Sequence, residues 1–280
     1  MAYKNFKNSG GTVSVDLGDL NPKQKLFCQA RTRYVAYGGA RGGGKTHVLR
    51  VKAFGGALTY PGIRILIVRR EYPELEQNII LPMRKMIPAE LATYNGAMRM
   101  MFFANGSTIK FGHYGPGDDV EYQGLEFDWI FMEEATQFTE TQFRTLGACL
   151  RGATKLPRRM YLTCNPGGIG HLWVKRLFID REYRDGERAE DYTFIPATVD
   201  DNPQLLAASP EYKQMLDLLP EDIRRAHRYG DWDALAGTFF PEFRPETHVI
   251  EPFVRIPAEW KKYRAFDYGL DMFACLWIAQ

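Results

Sequence analysis

Gly39-Ala40-Arg41-Gly42-Gly43-Gly44-Lys45-Thr46, read as GARGGGKT, fits the pattern G-x-x-x-x-G-K-Ser/Thr, and its reading decides the fold. Successive glycines free the backbone to turn several N–H groups toward one anionic cluster. A helix that follows aims its positive dipole end at the same point. Lys45 then brings a full positive charge within reach of β and γ phosphates, and Thr46 a hydroxyl suited to Mg²⁺ between them. The flanks agree: residues 33–37 are rich in β-branched and aromatic side chains, and 46–54 carry apolar side chains at helical spacing. A strand, a tight loop and a helix that bind nucleotide are the expectation.

Outward from the loop, strand-like runs at 33–37, 63–69, 129–132 and 159–163 alternate with helical stretches near 46–58, 71–87 and 139–150. That alternation predicts an α/β fold with a mostly parallel sheet. Ahead of the loop, Pro22 opens a helix capped by Asn21 and running through Phe27, after a polar, Gly-interrupted arm. Residues 99–104 and 108–113 flank Asn105-Gly106, a pair suited to a type I′ turn, which predicts a hairpin. Past residue 180 the texture becomes charged and loop-rich, with helices near 210–218 and 221–229, and reads as a small subdomain. A last apolar segment, 263–279, reads as two strands joined at Gly269.

The run Trp129-Ile130-Phe131-Met132 has the character of a buried strand and ends in two adjacent acids, Glu133 and Glu134. In a Walker B element the first acid holds Mg²⁺ and the second polarises the attacking water. The usual first acid is Asp, and Glu133 is one methylene longer. A second acid directly after the first points to a hydrolase with an extra strand between the two motifs, for which 63–69 is a candidate. Arg41, inside the loop, can face the γ phosphate or pair with Glu133 or Glu134. Arg144 and Arg151 are candidates for a finger that reaches a neighbouring subunit's nucleotide. Thr163 and Asn165, in the stretch Thr163-Cys164-Asn165-Pro166-Gly167-Gly168, are small polar side chains at a strand's carboxyl edge, where the γ phosphate can be sensed.

Composition sets the bounds. With 45% hydrophobic and 25% charged residues the chain has the make-up of an ordinary soluble domain, and 36 basic against 34 acidic residues neither demand nor exclude a polyanionic partner. Basic pairs such as Arg69-Arg70, Arg158-Arg159 and Lys261-Lys262 are scattered and read mostly as solvated faces. Cys28, Cys149, Cys164 and Cys275 form no C-x-x-C pair, which speaks against a metal knuckle and fits a reducing cytoplasm. No apolar run approaches the roughly 18 residues of a membrane span.

Taken in order, these motifs resemble those of the large subunit of tailed-bacteriophage terminases, the ATPase that drives DNA into a preformed capsid, and the likeness covers nearly the whole chain. Gln24, in NPKQKLF, is similar to the family's adenine-recognising glutamine; GGARGGGKT resembles its Arg-bearing Walker A, and FMEEATQF its Walker B followed by the catalytic Glu. TCNPGG resembles its coupling motif, ATVDDNPQL and the run ending YGDW its lid region, and FDYGLD the opening strand of its RNase H-like nuclease.

The resemblance implies a P-loop NTPase of the additional-strand, catalytic-Glu type, its sheet flanked by helices, with a small lid subdomain. The divisions expected are an arm at 1–20, the ATPase core at 21–180, a lid or linker at 181–235, and a linker with the first nuclease strands at 236–280. ATP and Mg²⁺ are the implied ligands. Gln24, Gly39, Arg41, Gly42, Gly43, Gly44, Lys45, Thr46, Thr163 and Asn165 would line the nucleotide, and Glu134, Arg41 and Arg151 would serve catalysis. Thr46 and Glu133 would hold metal, as would Asp267 in the nuclease. The remaining nuclease acids would fall beyond Gln280, so DNA cleavage is not expected of this chain.

Implied partners are double-stranded DNA, a portal protein, a terminase small subunit and further copies in a ring. The implied setting is the host cytoplasm, for a virus-encoded packaging component that stays out of the virion. Two rival readings are a helicase- or recombinase-like DNA-dependent ATPase and an assembly module that binds nucleotide without turnover.

Overall fold

The computed structural model describes residues 3–8, 11–115, 122, 124–235, 251, 255–268 and 273–280. The chain forms two compact units, Met1–Ala236 and Gly237–Gln280. In the first, β1 (Tyr3–Asn8) and β2 (Gly11–Asp16) pair antiparallel. This stretch, expected to be a polar arm, buries Val15 and Leu17 in the core. Helix α1 (Pro22–Gln29) starts as its sequence predicts: the Gln24 N–H donates to the Asn21 side chain at 2.8 Å, and the Asn21 N–H to the Gln24 side chain at 2.9 Å.

The four predicted strands are present as β3 (Tyr34–Gly39), β4 (Arg64–Arg69), β8 (Trp129–Met132) and β9 (Arg159–Cys164). Between β4 and β8 the chain adds β5 (Ala92–Asn95), β6 (Met100–Phe103) and β7 (Thr108–His113), and β10 (Tyr192–Ala197) follows β9. Together they make an eight-stranded sheet of order β10-β3-β9-β8-β4-β7-β6-β5, antiparallel only at β7-β6-β5. The mostly parallel α/β sheet is thus as expected, with two details that differ. β4, which lies between the two motifs in the chain, sits beyond β8; the strand that separates β3 from β8 is β9. The charged stretch past residue 180 also supplies a core strand, β10, beside β3.

Burial on both faces explains the sequences. In β4 every residue from Ile65 to Arg69 is buried. Ile65 and Ile67 enter a cluster with Phe27, Leu49, Phe54 and Phe131, while Leu66 and Val68 enter another with Ile130, Phe143 and Leu162. The period of two sorts one continuous apolar run into two cores. Helix α2 (Lys45–Thr59) covers one face with Val48, Leu49 and Phe54, and the helix Glu140–Ala148 covers the other with Phe143 and Leu146.

Two local expectations are corrected. The hairpin at Asn105-Gly106 forms, but only Gly106 has a positive φ, 81°. The Gly106 N–H donates to the Phe103 carbonyl at 3.0 Å and the Phe103 N–H to the Ser107 carbonyl at 2.9 Å, so the loop has three residues with glycine in the left-handed position, and the turn is not type I′. Asn105 keeps a negative φ because its side chain is engaged with the Ala57 carbonyl and the Ser107 N–H.

The helix expected over 71–87 is interrupted: α-helical turns at Tyr72–Leu75 and Leu81–Met86 flank a π-helical turn, Glu76–Ile80. Pro82 has no N–H to give the Asn78 carbonyl, and Arg50 donates to that carbonyl instead, at 2.6 Å.

In the second unit, β11 (Lys262–Tyr268) and β12 (Phe273–Ala279) pair antiparallel as the sequence suggests. Gly269 and the side chain of Asp267 lie outside the described residues.

Gly38 stands opposite Cys164 in the β3–β9 register, and a Cβ there would collide with the Cys164 carbonyl oxygen. Gly38→Ala should therefore destabilise by about 1–3 kcal/mol in urea denaturation. Gly55→Ala, in α2, meets nothing within 4 Å and should stabilise by up to about 1 kcal/mol. Equal effects of the two substitutions would contradict this account of the β3–β9 contact.

Candidate active site

Four side-chain bonds fix the loop that joins β3 to α2. The carbonyl of Ala40 accepts from Lys45 Nζ at 2.5 Å, that of Gly42 from Asn202 Nδ2 at 2.8 Å, that of Gly43 from the Tyr37 hydroxyl at 2.9 Å, and that of Gly44 from Gln24 Nε2 at 3.1 Å. With the carbonyls turned to these partners, the N–H groups of Gly42, Gly43 and Gly44 have no protein acceptor among the described residues. The N–H groups of Ala40 and Arg41 are taken by the carbonyls of Ala197, at 3.1 Å, and His227, at 2.7 Å. Gly42 and Gly44 have φ of 81° and 73°, where a side chain is strained. The unspent donors and the start of α2 make an anion site. Burial pushes the Lys45 ammonium below its usual range, and the charge of Glu134 opposes that shift.

Glu133, at the end of β8, is fully buried and bridges two donors: Thr46 Oγ1 at 2.5 Å and Arg69 Nη1 at 2.6 Å. Arg69 Nε also donates to Glu74 at 2.8 Å. Burial pushes the Glu133 carboxyl up, and the Arg69 charge and the Thr46 hydroxyl pull it back.

Glu134 adopts the left-handed conformation, φ 54° and ψ 54°, which costs a non-glycine residue roughly 1 kcal/mol and must be held by its surroundings. Thr163 and Asn165 hold it. The Glu134 N–H donates to Thr163 Oγ1 at 3.1 Å, and Asn165 Nδ2 donates to the Glu134 carboxylate at 3.0 Å. Cys164, between them, is buried, and burial pushes its thiol up to about 12.

Lys45, Thr46, Glu134 and Asn165 line one open cavity of about 510 Å³ together with Arg41 and Arg69. The structure therefore gathers the loop, the second acid and the β9 edge predicted from sequence. Glu133 sits behind them, paired with Arg69 and Thr46 and not with Arg41, which is exposed. Gln24 touches the loop through Gly44 and has its carbonyl occupied by Asn21.

Arg144 and Arg151 do not line the cavity. Arg144 is ion-paired with Glu140, at 2.9 Å, and with Glu187. Arg176 foremost, with Arg144, holds the Glu187 carboxyl down at about 2. Arg151 is exposed, and its Nε donates to the Leu125 carbonyl at 3.4 Å.

Arg69, Asn202 and Tyr37 are among the site residues that sequence reasoning missed, with Gln137, Leu205 and Tyr212 of the cavity lining. Arg69 ends β4, and Val68 stands beside Met132 in the sheet; that neighbour relation is what delivers its guanidinium to Glu133. No group of three or more His, Cys, Asp or Glu side chains able to hold a metal occurs among the described residues.

Arg69→Ala should leave Glu133 buried without a counter-charge and raise its pKa further. A carboxyl raised by folding favours the native state while protonated and costs stability as pH rises through its folded pKa. The variant should accordingly lose little stability in mildly acidic buffer and several kcal/mol, about 3, at neutral pH, measured by urea denaturation at both. A loss independent of pH would rule out this role of the ion pair.

A family model described as phage terminase large subunit matches residues 31–229. No curated protein sequence matches the chain. Among solved structures, the large terminase of a thermophilic bacteriophage in complex with ATP-gamma-S is 20% identical, with a TM-score of 0.60 over 90% of this chain and 62% of that one. The large terminase ATPase domain of Thermus phage P74-26 is 14% identical, with a TM-score of 0.54 over 76% of this chain and 94% of that one. At such identities the likeness concerns the fold, and the chain spans less than two thirds of the first of these proteins. The family match takes in well over half of the 280 residues and contains the loop, both acids and the Thr163–Asn165 edge, so the chain belongs to the phage terminase large subunit family.

Proposed function

We propose that the chain is the ATP-hydrolysing motor of a viral DNA-packaging terminase, which translocates double-stranded DNA into a procapsid. The observation that carries this reading is the convergence of Lys45, the Thr46–Glu133 pair and the Glu134–Asn165 pair around one cavity at the carboxyl ends of β3, β8 and β9. The thermophilic-phage large terminase solved with ATP-gamma-S and with ADP lends support from outside the chain.

In this reading the N–H groups of Gly42 to Gly44, the start of α2 and Lys45 bind the triphosphate. Thr46 and Glu133 present two hard oxygens side by side, a donor set that fits Mg²⁺, and they would hold it. The ion would supply charge neutralisation on the phosphates. Glu134 takes the proton of the attacking water, and Asn165 fixes the carboxylate that does so. Thr163, bonded to the Glu134 backbone, keeps that carboxylate at the cavity and carries the response to the γ phosphate into β9. Arg41, exposed in the loop, is the in-chain candidate to stabilise charge on the transferred group, and Arg151 the candidate supplied to a neighbouring subunit. Gln24 acts on the nucleotide through Gly44.

The same reading assigns the partners expected of the family: duplex DNA gripped through its phosphates, a portal protein, a small subunit and a ring of copies, all in the host cytoplasm. The residues that follow β10 in the first unit would act as the lid. Asp267 would be a metal acid of the second unit. No helix among the described residues is long and apolar enough to cross a membrane.

Lys45→Ala should abolish ATP binding and phosphate release together. Glu134→Gln should keep ATP binding while turnover falls by about 10²–10⁴, the usual worth of a general base. Calorimetry and a phosphate-release assay separate the two, and turnover left intact by both substitutions would sink the proposal.

A further inference from the structure

The cavity beside the loop has two chemically different walls. One is polar throughout: Lys45, Thr46, Arg69, Glu134 and Asn165. The other comes from residues 202–212, and its side chains are Asn202, Leu205 and Tyr212. Leu205 and Tyr212 are half-buried and are the apolar and aromatic side chains of the lining among the described residues.

This second wall is tied to the loop. Asn202 Nδ2 donates to the Gly42 carbonyl at 2.8 Å, and Asn202 Oδ1 accepts from the Leu205 N–H at 3.3 Å, capping the helix Pro203–Ala208 that carries Leu205. The Tyr212 ring comes close enough that a Cβ on Gly42 would lie 3.0 Å from its Cε1.

A triphosphate on the loop leaves a nucleobase to be accommodated, and a base has a flat, weakly hydrated face that gains only against an apolar or aromatic surface. Gln24 offers no such surface, and its amide is engaged at both ends, the oxygen by the Asn21 N–H and the nitrogen by the Gly44 carbonyl. Resting on the nucleotide reading above, we infer that Tyr212 and Leu205 form the nucleobase subsite, with the base stacked on the Tyr212 ring. Asn202 then links the two halves of the ligand's site, since one side chain both grips the loop and caps the helix that presents Leu205.

The test is calorimetric titration of the whole chain, in Mg²⁺, with adenylyl imidodiphosphate and separately with inorganic tripolyphosphate, which has no base. Tyr212→Ala should weaken the nucleotide roughly tenfold, the scale of one base on one aromatic ring, and leave tripolyphosphate unchanged. Tyr212→Phe, which keeps the ring, should bind both as the parent does. The tripolyphosphate arm also reports that the variant is folded. Equal weakening of both ligands by Tyr212→Ala, or no change in either, overturns the subsite while leaving the phosphate loop standing. A parent chain that binds neither ligand overturns the loop reading and this subsite with it.

Discussion

Everything at the site depends on how the phosphate loop's carbonyls are held. A glycine-rich loop is by itself a flexible segment, and an anion cradle needs its amides fixed in one direction. Here four side chains from four places in the chain, Gln24, Tyr37, Lys45 and Asn202, each take one carbonyl, so the direction of the amides follows from bonds made behind them. Ala197 and His227 add two backbone bonds at the loop's first turn. Much of the first unit, from α1 to the helical turn that ends at Gly230, thus converges on six backbone polar groups of the loop. The glycines are needed both for their φ angles and because the partners press close.

The two acids after β8 are set apart by their surroundings. Glu133 is buried and pinned between Thr46 and Arg69, which leaves it little freedom. Its extra methylene, which as sequence departs from the usual Asp, lets one carboxylate span a hydroxyl on α2 and a guanidinium on β4. Glu134 is instead twisted into a left-handed backbone and offered to the cavity, with Thr163 on its N–H and Asn165 on its carboxylate. Neighbouring residues in the chain reach different environments because the backbone turns into the left-handed region at Glu134.

The apolar runs that became β3, β4, β8 and β9 were legible because strands buried on both faces leave no polar positions to confuse the pattern. β10 was not. Its sequence YTFIPA holds Pro196, which lacks an N–H and is tolerated there because β10 is the edge strand of the sheet. The Asn-Gly pair announced a hairpin but not its turn, since the Asn105 side chain found partners that hold a negative φ. At the site, Lys45, Thr46 and Glu134 followed from local spacing. Arg69 and Asn202 lie far from the loop in sequence and reach it only through sheet order and a distant helix cap, which a single sequence does not encode in any local pattern.

Cys164 pairs with Gly38 at the start of the loop, and its thiol is buried near the Lys45 and Glu134 charges, with its ionisation pushed far above neutrality. Alkylating and oxidising agents attack the thiolate, so this sulfur is insulated from them, whereas Cys275 is exposed and Cys28 half-buried. A maleimide fluorophore would accordingly label the second unit first and spare the Cys164 sulfur, giving a reporter that leaves the neighbourhood of Lys45 and Glu134 unmodified.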